Sequence, residues 1–239
     1  LRRKFPHKES LMHHDNWMDR SHKFQSKNIR AILSLKPFDT NGIFGRKKLA
    51  QAAKLDTNSL IIPRQTHSNK VTFCTKNGTI PDMDGIFTDN RQWVCSLQVA
   101  DCLPIYFVNE PETVIGLVHA GWRGLVNGIL SKSTDLLLMN GFSLSNYEIV
   151  IGPSIHPCCF EVGNDIVNQF NSDHCVDKNN GKYQVDLQRI AKEQLHKFGF
   201  MKEKITLISE CTYCEDGKYH SYRRDGDNAG RMIALLGWV

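Results

Sequence analysis

The sequence predicts a single domain in which β-strands and α-helices share one core. Its 239 residues, 41% hydrophobic and 23% charged, have the composition of an ordinary globular protein. From about residue 58 onward, short runs rich in β-branched and aromatic residues alternate with longer segments of helical periodicity. Neither an internal repeat nor a Pro/Gly/Ser-rich linker divides the chain. This mixture is typical of an α/β or an α+β domain, and the order of the elements does not decide between the two.

The individual elements are predicted from the apolar pattern and from the turn residues that bound it. Short apolar runs predict strands at residues 60–62, 70–74, 92–98, 105–108, 114–119, 147–151 and 205–208. Apolar residues at helical spacing predict helices at residues 124–139, 164–171 and 186–198. A further helix is expected to begin near Asn228 and to run towards Leu236.

Composition also limits the class of protein. No apolar run approaches the roughly 20 residues that a membrane-spanning helix needs, so a membrane is not an expected partner. No apolar stretch follows the basic residues at the N-terminus, so a secretory signal is not expected either. Eight cysteines in such a chain favour a reducing compartment, where thiols serve packing, metal binding or catalysis. The expected location is therefore cytoplasmic.

The positive charge is concentrated in the N-terminal fifth of the chain. Residues 1–48 contain 12 Lys and Arg against 4 Asp and Glu, whereas the remaining residues contain 18 against 21. Clustered cations could bind nucleic acid by neutralising phosphates. Because neither interleaved aromatic residues nor zinc-finger spacing accompanies them, a solvated, partly mobile terminus is the preferred interpretation. Nucleic acid is accordingly not an expected partner.

Two segments beside predicted strands carry candidate catalytic residues. The first, Arg64-Gln-Thr-His67-Ser68, would present an imidazole from a turn after a strand. The second places Asp101 and Cys102 just before Pro104, which disfavours a helix and so predicts a turn at a strand edge. Cys102 could be a thiolate ligand, a nucleophile or simply a small buried side chain.

A third segment, Gly116 to Gly124, predicts a strand that runs into His119 and then turns into a helix. The glycines permit close backbone approach, and Arg123 would add a forked positive charge beside the helix N-terminus, which favours an anion. With His67 and Cys102, His119 completes a ligand set for Zn²⁺ that leaves a fourth position free. The spacings of these three residues match no local zinc-binding motif, so spacing alone does not establish a metal site.

The remaining chemistry lies in a vicinal pair, Cys158-Cys159, and a C-x-x-C pair, Cys211 and Cys214. These four thiols could hold a structural zinc ion. Because 51 residues intervene between the two pairs, incidental packing of the thiols is favoured. Downstream, Arg223 and Arg224 could bind an anion or pair with neighbouring aspartates.

Taken together, the motifs resemble those of the YfiH family, also described as the polyphenol oxidase or laccase-domain family and as multifunctional purine nucleoside enzymes. In chain order the matching stretches are RQTHSNKV, DGIFTD, ADCLPIYF, GLVHAGWRGL, IGPSIHPCCFEVG, VDL, CTYC and SYRRDGDNAGRM. Residues 44–55 fit the helix that precedes the first motif. Residues 1–42 lack the Gly-Gly-x-Ser stretch that is usual near the N-terminus of members. The resemblance thus divides the chain into a basic, divergent N-terminal segment, residues 1–42, and a YfiH-like catalytic domain, residues 43–239.

This resemblance implies a single α+β domain with mixed sheets flanked by helices, and a zinc ion held by His67, Cys102 and His119. It implies phosphorolysis of adenosine, inosine and methylthioadenosine, with adenosine deamination as a second activity, so purine nucleosides and phosphate are the expected partners. Copper-dependent polyphenol oxidation comes with the same resemblance as an alternative. Because oxidases of that kind need further His-rich copper centres and this chain has only ten histidines, zinc is preferred.

The expected mechanism gives the candidate residues separate roles. Zinc would act as a Lewis acid on a water or a substrate atom. Arg64 and Arg123 would hold the phosphate, with Arg224 as a further candidate. Asp101 would orient the zinc ligands or carry a proton.

Two other classes remain open. In a cysteine hydrolase, Cys102 would be the nucleophile and His119 its base. In a non-catalytic interaction protein, the zinc would be purely structural.

Overall fold

A computed structural model describes residues 13–14 and 16–239, with side chains from residue 16 onward. The described strands, in chain order, are β1 (His13–His14), β2 (Trp17–Asp19), β3 (Ile29–Ser34), β4 (Leu60–Pro63), β5 (Val71–Phe73), β6 (Gly78–Ile80), β7 (Gly85–Thr88), β8 (Val94–Val99), β9 (Leu103–Asn109), β10 (Val114–Ala120), β11 (Glu148–Ile151), β12 (Glu161–Gly163), β13 (Cys175–Asp177), β14 (Lys182–Val185), β15 (Ile205–Leu207) and β16 (Met232–Trp238). The α-helices are α1 (Gly42–Ala52), α2 (Trp122–Val126), α3 (Ile129–Met139), α4 (Asn164–Val167), α5 (Leu187–Lys197) and α6 (Tyr222–Asp225).

The strands form two large mixed sheets and one small antiparallel sheet. The seven-stranded sheet has the order β1-β2-β3-β16-β8-β4-β6, and the six-stranded sheet has the order β15-β11-β9-β10-β7-β5. In each, an antiparallel centre is extended by parallel pairs, such as β4 with β8 and β11 with β15. The small sheet, β12-β14-β13, is wholly antiparallel.

The two large sheets pack face to face through a buried apolar layer. Leu97 and Ala234 of the seven-stranded sheet belong to the same core cluster as Tyr106 and Leu117 of the six-stranded sheet. Burial of this many apolar side chains is the main favourable contribution to folding.

Helices cover the outer face of each large sheet. Leu49 and Ala50 of α1 pack with Leu235 on the seven-stranded sheet, and Leu137 of α3 and Leu195 of α5 pack with the six-stranded sheet. The result is a single mixed domain of four layers, helix, sheet, sheet and helix, which confirms the predicted fold class. Among residues 13–14 and 16–239, no helix combines the length and the apolarity that a membrane crossing requires.

The predicted strands are present, with ends that shift by up to about two residues. The helix predicted at residues 124–139 is two helices, because Gly128 adopts a left-handed conformation with φ +81° between α2 and α3. The helix predicted at residues 164–171 is confined to the short α4.

The prediction of a helix after Asn228 is wrong. Residues 232–238 form β16, and all seven residues are buried because both faces of this central strand are covered. A strand buried on both faces loses its apolar–polar alternation, so periodicity cannot distinguish it from a buried helix.

Part of the basic N-terminal segment belongs to the seven-stranded sheet. β3 lies between β2 and β16, and five of its six residues are buried. The Ser34 hydroxyl accepts a hydrogen bond of 2.7 Å from the backbone N–H of Ile233. The expectation of a solvated terminus therefore does not hold for β3, while residues 1–12 and 15 lie outside the described residues.

Candidate active site

The pairing of β9 with β10 brings two predicted site residues together. The register sets His119, near the end of β10, opposite Pro104 of β9. Since Cys102 directly precedes β9, this register places its thiol beside His119. His67 follows β4 and turns its ring towards the same point, with 4.8 Å between the His67 and His119 ring centroids. The three ligand atoms, two imidazole nitrogens and one sulfur, all lie within 4.8 Å of one another.

The carboxylate of Asp84, immediately before β7, positions both imidazoles. It accepts hydrogen bonds from the backbone N–H groups of Thr66, His67 and Ser68 over 3.2, 3.0 and 2.7 Å. This cradle holds His67 in a left-handed backbone conformation with φ 57°. The same carboxylate lies 2.8 Å from Nδ1 of His119. A single buried carboxylate thus positions two imidazoles that come from separate segments of the chain.

The hydrogen bonds to Asp84 stabilise its ionised form. Burial alone would raise the pKa of Asp84, but hydrogen bonds from His119 and Ser68 outweigh it and hold this pKa far below its usual range. Because Asp84 stays ionised, Nδ1 of His119 is the donor and Nε2 is left to face Cys102.

Cys102 and His119 stabilise each other's charged forms. Burial would raise the pKa of the Cys102 thiol, but His119 and then His67 outweigh it and lower the pKa to about 6. Burial would lower the pKa of His119, but Cys102 and Asp84 outweigh it and raise that pKa to about 9. The site therefore favours a thiolate, which is the form in which cysteine binds metals and attacks electrophiles.

Gly121 leaves room for this cluster. A Cβ atom at this position would lie 2.9 Å from Sγ of Cys102 and 3.5 Å from Cδ2 of His67. The close approach of the backbone to the thiol therefore needs a residue without a side chain, which explains the glycine in the motif HAGWRG.

The cluster lies at a large open cavity of about 1010 Å³. Ile155, Phe160 and Leu187 give the cavity an apolar side, and five arginines line it as well: Arg46, Arg64, Arg123, Arg223 and Arg231. An apolar surface with a few convergent charged groups is typical of a site for a small polar ligand.

The predicted phosphate-binding arginines have different environments. Arg64 lines the cavity and pairs with Asp82 at 2.8 Å, with both side chains largely exposed. Arg123 also lines the cavity, with its guanidinium 4.4 Å from the centre of the Trp122 ring. Arg224 is not among the lining residues.

The guanidinium of Arg224 is used within the fold. It donates hydrogen bonds to the backbone carbonyls of Thr212, Tyr213 and Tyr219 over 2.8–3.1 Å. These bonds fix the loop before α6, so Arg223, the neighbouring arginine, reaches the cavity instead.

Asp101 lines the cavity, but its carboxylate is occupied by neighbouring loops. It accepts hydrogen bonds from the hydroxyls of Thr212 and Ser221 at 2.6 and 3.0 Å, and from the backbone N–H of Arg223 at 2.7 Å. Asp101 has φ 78°, a left-handed conformation that turns the chain directly before Cys102. This geometry makes Asp101 a positioning residue for Cys102 and for the loop that carries Arg223.

Two residues of the site were not identified from the sequence. Asp84 begins the motif DGIFTD, but its burial against His119 depends on strand pairing. Arg46 lies on α1, is only 5% exposed and donates to the Ser96 hydroxyl at 2.5 Å. Burial lowers the pKa of Arg46 to about 10, and within residues 16–239 no carboxylate forms an ion pair with it. For Arg46, the sequence offered one signal, which is an arginine on the apolar face of a predicted helix.

The fold and the site define a mixed-sheet protein in which Asp84 contacts His119, and His119 and Cys102 line a cavity that also contains five arginines. The family model described as multi-copper polyphenol oxidoreductase laccase matches residues 41–239, and the chain belongs to this family. The resemblance to the YfiH family, based on the motifs, is thereby confirmed.

Relatives of known name extend the comparison. Purine nucleoside phosphorylase YlmD of Geobacillus stearothermophilus is 31% identical over 83% of this chain and 79% of that protein. Adenosine deaminase RL5, from an unknown prokaryotic organism, is 30% identical over 79% of this chain and 78% of that protein. Both relatives are named as enzymes that act on purine nucleosides, and this chain is an enzyme of the same kind.

Solved structures agree with the fold. The crystal structure of YlmD from Geobacillus stearothermophilus has a TM-score of 0.86 at 26% identity and covers 98% of both chains. The Bacillus licheniformis hypothetical protein YfiH has a TM-score of 0.83 at 23% identity, covering 94% of this chain and 97% of that one. The latter supports the architecture alone.

Proposed function

We propose that this protein is a zinc-dependent purine nucleoside phosphorylase that acts on adenosine, inosine and methylthioadenosine, with adenosine deamination as a second activity. The observation that carries the proposal is the convergence of His67, Cys102 and His119 at the floor of an arginine-lined cavity. The named activities of YlmD and of adenosine deaminase RL5 support the substrate class.

The donor set fits zinc. Two imidazoles and one thiolate are ligands that Zn²⁺ accepts, and three protein ligands leave one position for a reactant. Bound there, zinc would supply Lewis acidity towards a water or a substrate atom. One ring nitrogen of His119 is already engaged, because Nδ1 bonds Asp84 and leaves Nε2 for the metal.

The arginines would bind and orient phosphate. Phosphorolysis forms a bond between a phosphate oxygen and the anomeric carbon of the ribose, while the bond to the purine nitrogen breaks. Arg46, which is buried and has no carboxylate partner among residues 16–239, and Arg123, which is exposed at the cavity, would neutralise the phosphate and hold it for this attack. Arg64 would join them on leaving Asp82. The apolar side of the cavity, including Phe160, would receive the purine and exclude water.

Polyphenol oxidation by copper is the less favoured reaction. One thiolate and two imidazoles also suit copper, but oxidases that reduce oxygen need additional His-rich centres. Among the side chains of residues 16–239, the one other group able to hold a metal consists of four cysteines. The reaction on nucleosides needs no such additional centre.

All eight cysteines are free thiols, which suits a reducing compartment such as the cytoplasm.

The proposal is tested by incubating protein of known metal content with adenosine, with and without phosphate, and separating the products. Adenine formed only with phosphate indicates phosphorolysis, and inosine indicates deamination. Cys102→Ala is expected to lose the zinc of this site and both activities. Wild-type protein that forms neither product, or an active Cys102→Ala variant, would overturn the proposal.

A second candidate is a cysteine hydrolase, favoured by the order Asp84–His119–Cys102, which matches the arrangement of a catalytic triad. In that case iodoacetamide should inactivate the enzyme, whereas a chelator should leave its activity unchanged. The zinc-dependent reaction predicts loss of activity on chelation and recovery on return of zinc.

A further inference from the structure

Two cysteine pairs that are distant in sequence meet close together in the fold. One pair directly precedes Phe160, which lines the cavity. Sγ of Cys214 lies 3.7 Å from Sγ of Cys158 and 3.4 Å from Sγ of Cys159. With Cys211, these four sulfurs all lie within 4.8 Å of one another. We call this group the four-cysteine cluster.

The spacing of the sulfurs matches metal coordination. Four thiolates at about 2.3 Å from a zinc ion are separated by about 3.8 Å in a tetrahedron. Sulfurs joined in a disulfide are separated by about 2.05 Å. The two separations from the Cys214 sulfur, 3.7 and 3.4 Å, are close to the tetrahedral value, none of the others exceeds 4.8 Å, and no disulfide joins these cysteines.

The backbone around Cys211 is arranged to receive a thiolate. The backbone N–H groups of Tyr213, Cys214 and His156 lie near the Cys211 sulfur. The first two belong to the tight C-x-x-C turn itself, and the turn is held against the other segment by a bridge between Ser154 and Cys211. Donors aimed at a ligand sulfur orient it and stabilise its charge.

Exposure also separates this cluster from the thiols that only fill space. Cys74 and Cys95 are buried apolar residues, 4% and 0% exposed, as expected for packing. Cys158 and Cys214 are exposed, so burial of apolar surface does not explain their position. The 51 residues between the two pairs favour incidental thiols when only the sequence is considered. In the fold, however, the two pairs lie next to each other.

We infer that the four-cysteine cluster is a second metal site that binds a thiophilic divalent cation, zinc above all, with every coordination position filled by protein. Four protein ligands leave none for a reactant, so the site is structural. This inference does not depend on the proposed nucleoside chemistry.

The site would brace one wall of the cavity. Arg223 donates to the carbonyl oxygens of Cys159 and Glu161 at 3.4 and 2.8 Å, and its guanidinium lies 5.3 Å from the centre of the Phe160 ring. Both Arg223 and Phe160 line the cavity. A metal that joins Cys158 and Cys159 to the C-x-x-C turn would therefore fix the part of the cavity lining formed by Phe160 and Arg223.

Zinc content of the full-length protein tests the inference. Wild-type protein is expected to contain about two zinc ions per chain, and Cys214→Ser and Cys102→Ala about one each, because each removes a ligand of a different site. Cys175→Ser is the matched control, since this half-buried cysteine lies outside the cluster and bonds Asn171 instead. Equal zinc in Cys214→Ser and Cys175→Ser would overturn the inference.

Two measurements avoid dependence on the folding of Cys214→Ser. Zinc-edge X-ray absorption of the Cys102→Ala protein is expected to show sulfur neighbours only, at about 2.3 Å. In wild-type protein, the exposed Cys158 and Cys214 are expected to resist N-ethylmaleimide until a chelator is added. Zinc with nitrogen or oxygen neighbours, immediate labelling of both thiols, or a disulfide between the pairs would each contradict a four-thiolate site.

Discussion

Nδ1 of His119 lies 2.8 Å from the carboxylate of Asp84, and the pair is withdrawn from solvent, with 3% and 0% of the two side chains exposed. The same carboxylate holds the backbone of His67. The geometry of both imidazoles therefore depends on one residue that would not itself touch a metal or a substrate.

Asp84→Asn is expected to lower zinc retention and activity by about 10- to 100-fold, since ligands lose this much when their orienting partner is removed. An amide also cannot fix His119 as an Nδ1 donor. Zinc titration and kcat would be measured together. Asp89→Asn, at the exposed end of the same DGIFTD motif, is the control. Normal zinc affinity in Asp84→Asn would show that Asp84 serves stability alone.

Gly121→Ala is expected to disrupt the cluster without unfolding the protein. The added methyl would stand 2.9 Å from the Cys102 sulfur, so the thiol must move. A misplacement of a reacting group by about 1 Å can cost on the order of a hundredfold in rate. Gly217→Ala, where an added Cβ meets nothing within 4 Å, is the control in rate and thermal unfolding assays. The steric argument fails if Gly121→Ala retains the wild-type rate.

Arg46→Met is expected to raise KM for phosphate by about 10- to 100-fold, from the roughly 1.5–3 kcal/mol of a charge-assisted hydrogen bond. Because Arg46 is buried and forms no ion pair within the described part of the chain, replacing it by an apolar residue should leave stability unchanged or slightly higher. Arg91→Met, at an arginine that lies over the Trp238 ring, is the control. An unchanged KM for phosphate in Arg46→Met would exclude Arg46 from the phosphate site.

Glu210 is expected to make stability depend on pH. Partial burial would raise the pKa of Glu210, but Lys218, Tyr219 and Arg20 outweigh it and lower the pKa from 4.5 to about 2. A depressed pKa stabilises the fold above the unfolded value of 4.5, and this stabilisation is lost as the pH falls from there towards about 2.

Glu210→Gln should therefore lower the free energy of unfolding by about 2 kcal/mol near neutral pH, and the difference should shrink at about pH 3. Urea unfolding of both proteins at the two pH values measures it. Glu203→Gln, at an exposed glutamate, should change little at either pH. A difference between Glu210→Gln and wild type that is independent of pH would assign the effect to packing.

The three residues that the structure brings together as candidate ligands could be named from the sequence, but the residues that position them could not. His67, Cys102 and His119 lie in motifs whose residue types indicate their chemistry. The role of Asp84 depends on the pairing of β7 with β10, which is a long-range property of the sheet. Arg46 reaches the cavity only because α1 packs on the seven-stranded sheet.

The errors in the predicted secondary structure have a similar physical cause. Short strands with turn residues at their ends were predicted within about two residues. β16 was not, since a strand covered on both faces has no alternation to detect. For Cys158, Cys159, Cys211 and Cys214 the sequence left a zinc site open and favoured incidental packing, because distance along the chain carries no information about distance in space.

β16 joins β3 to β8 in the seven-stranded sheet, although residues 29–34 and 232–238 are separated by most of the chain. During synthesis the first of these strands leaves the ribosome long before the last. The seven-stranded layer therefore cannot be completed until residues 232–238 have left the ribosome, and its apolar edges must wait for a late partner. Such non-local pairing slows folding and exposes the nascent chain to aggregation, so chaperones that shield open strand edges should matter for the yield of this enzyme.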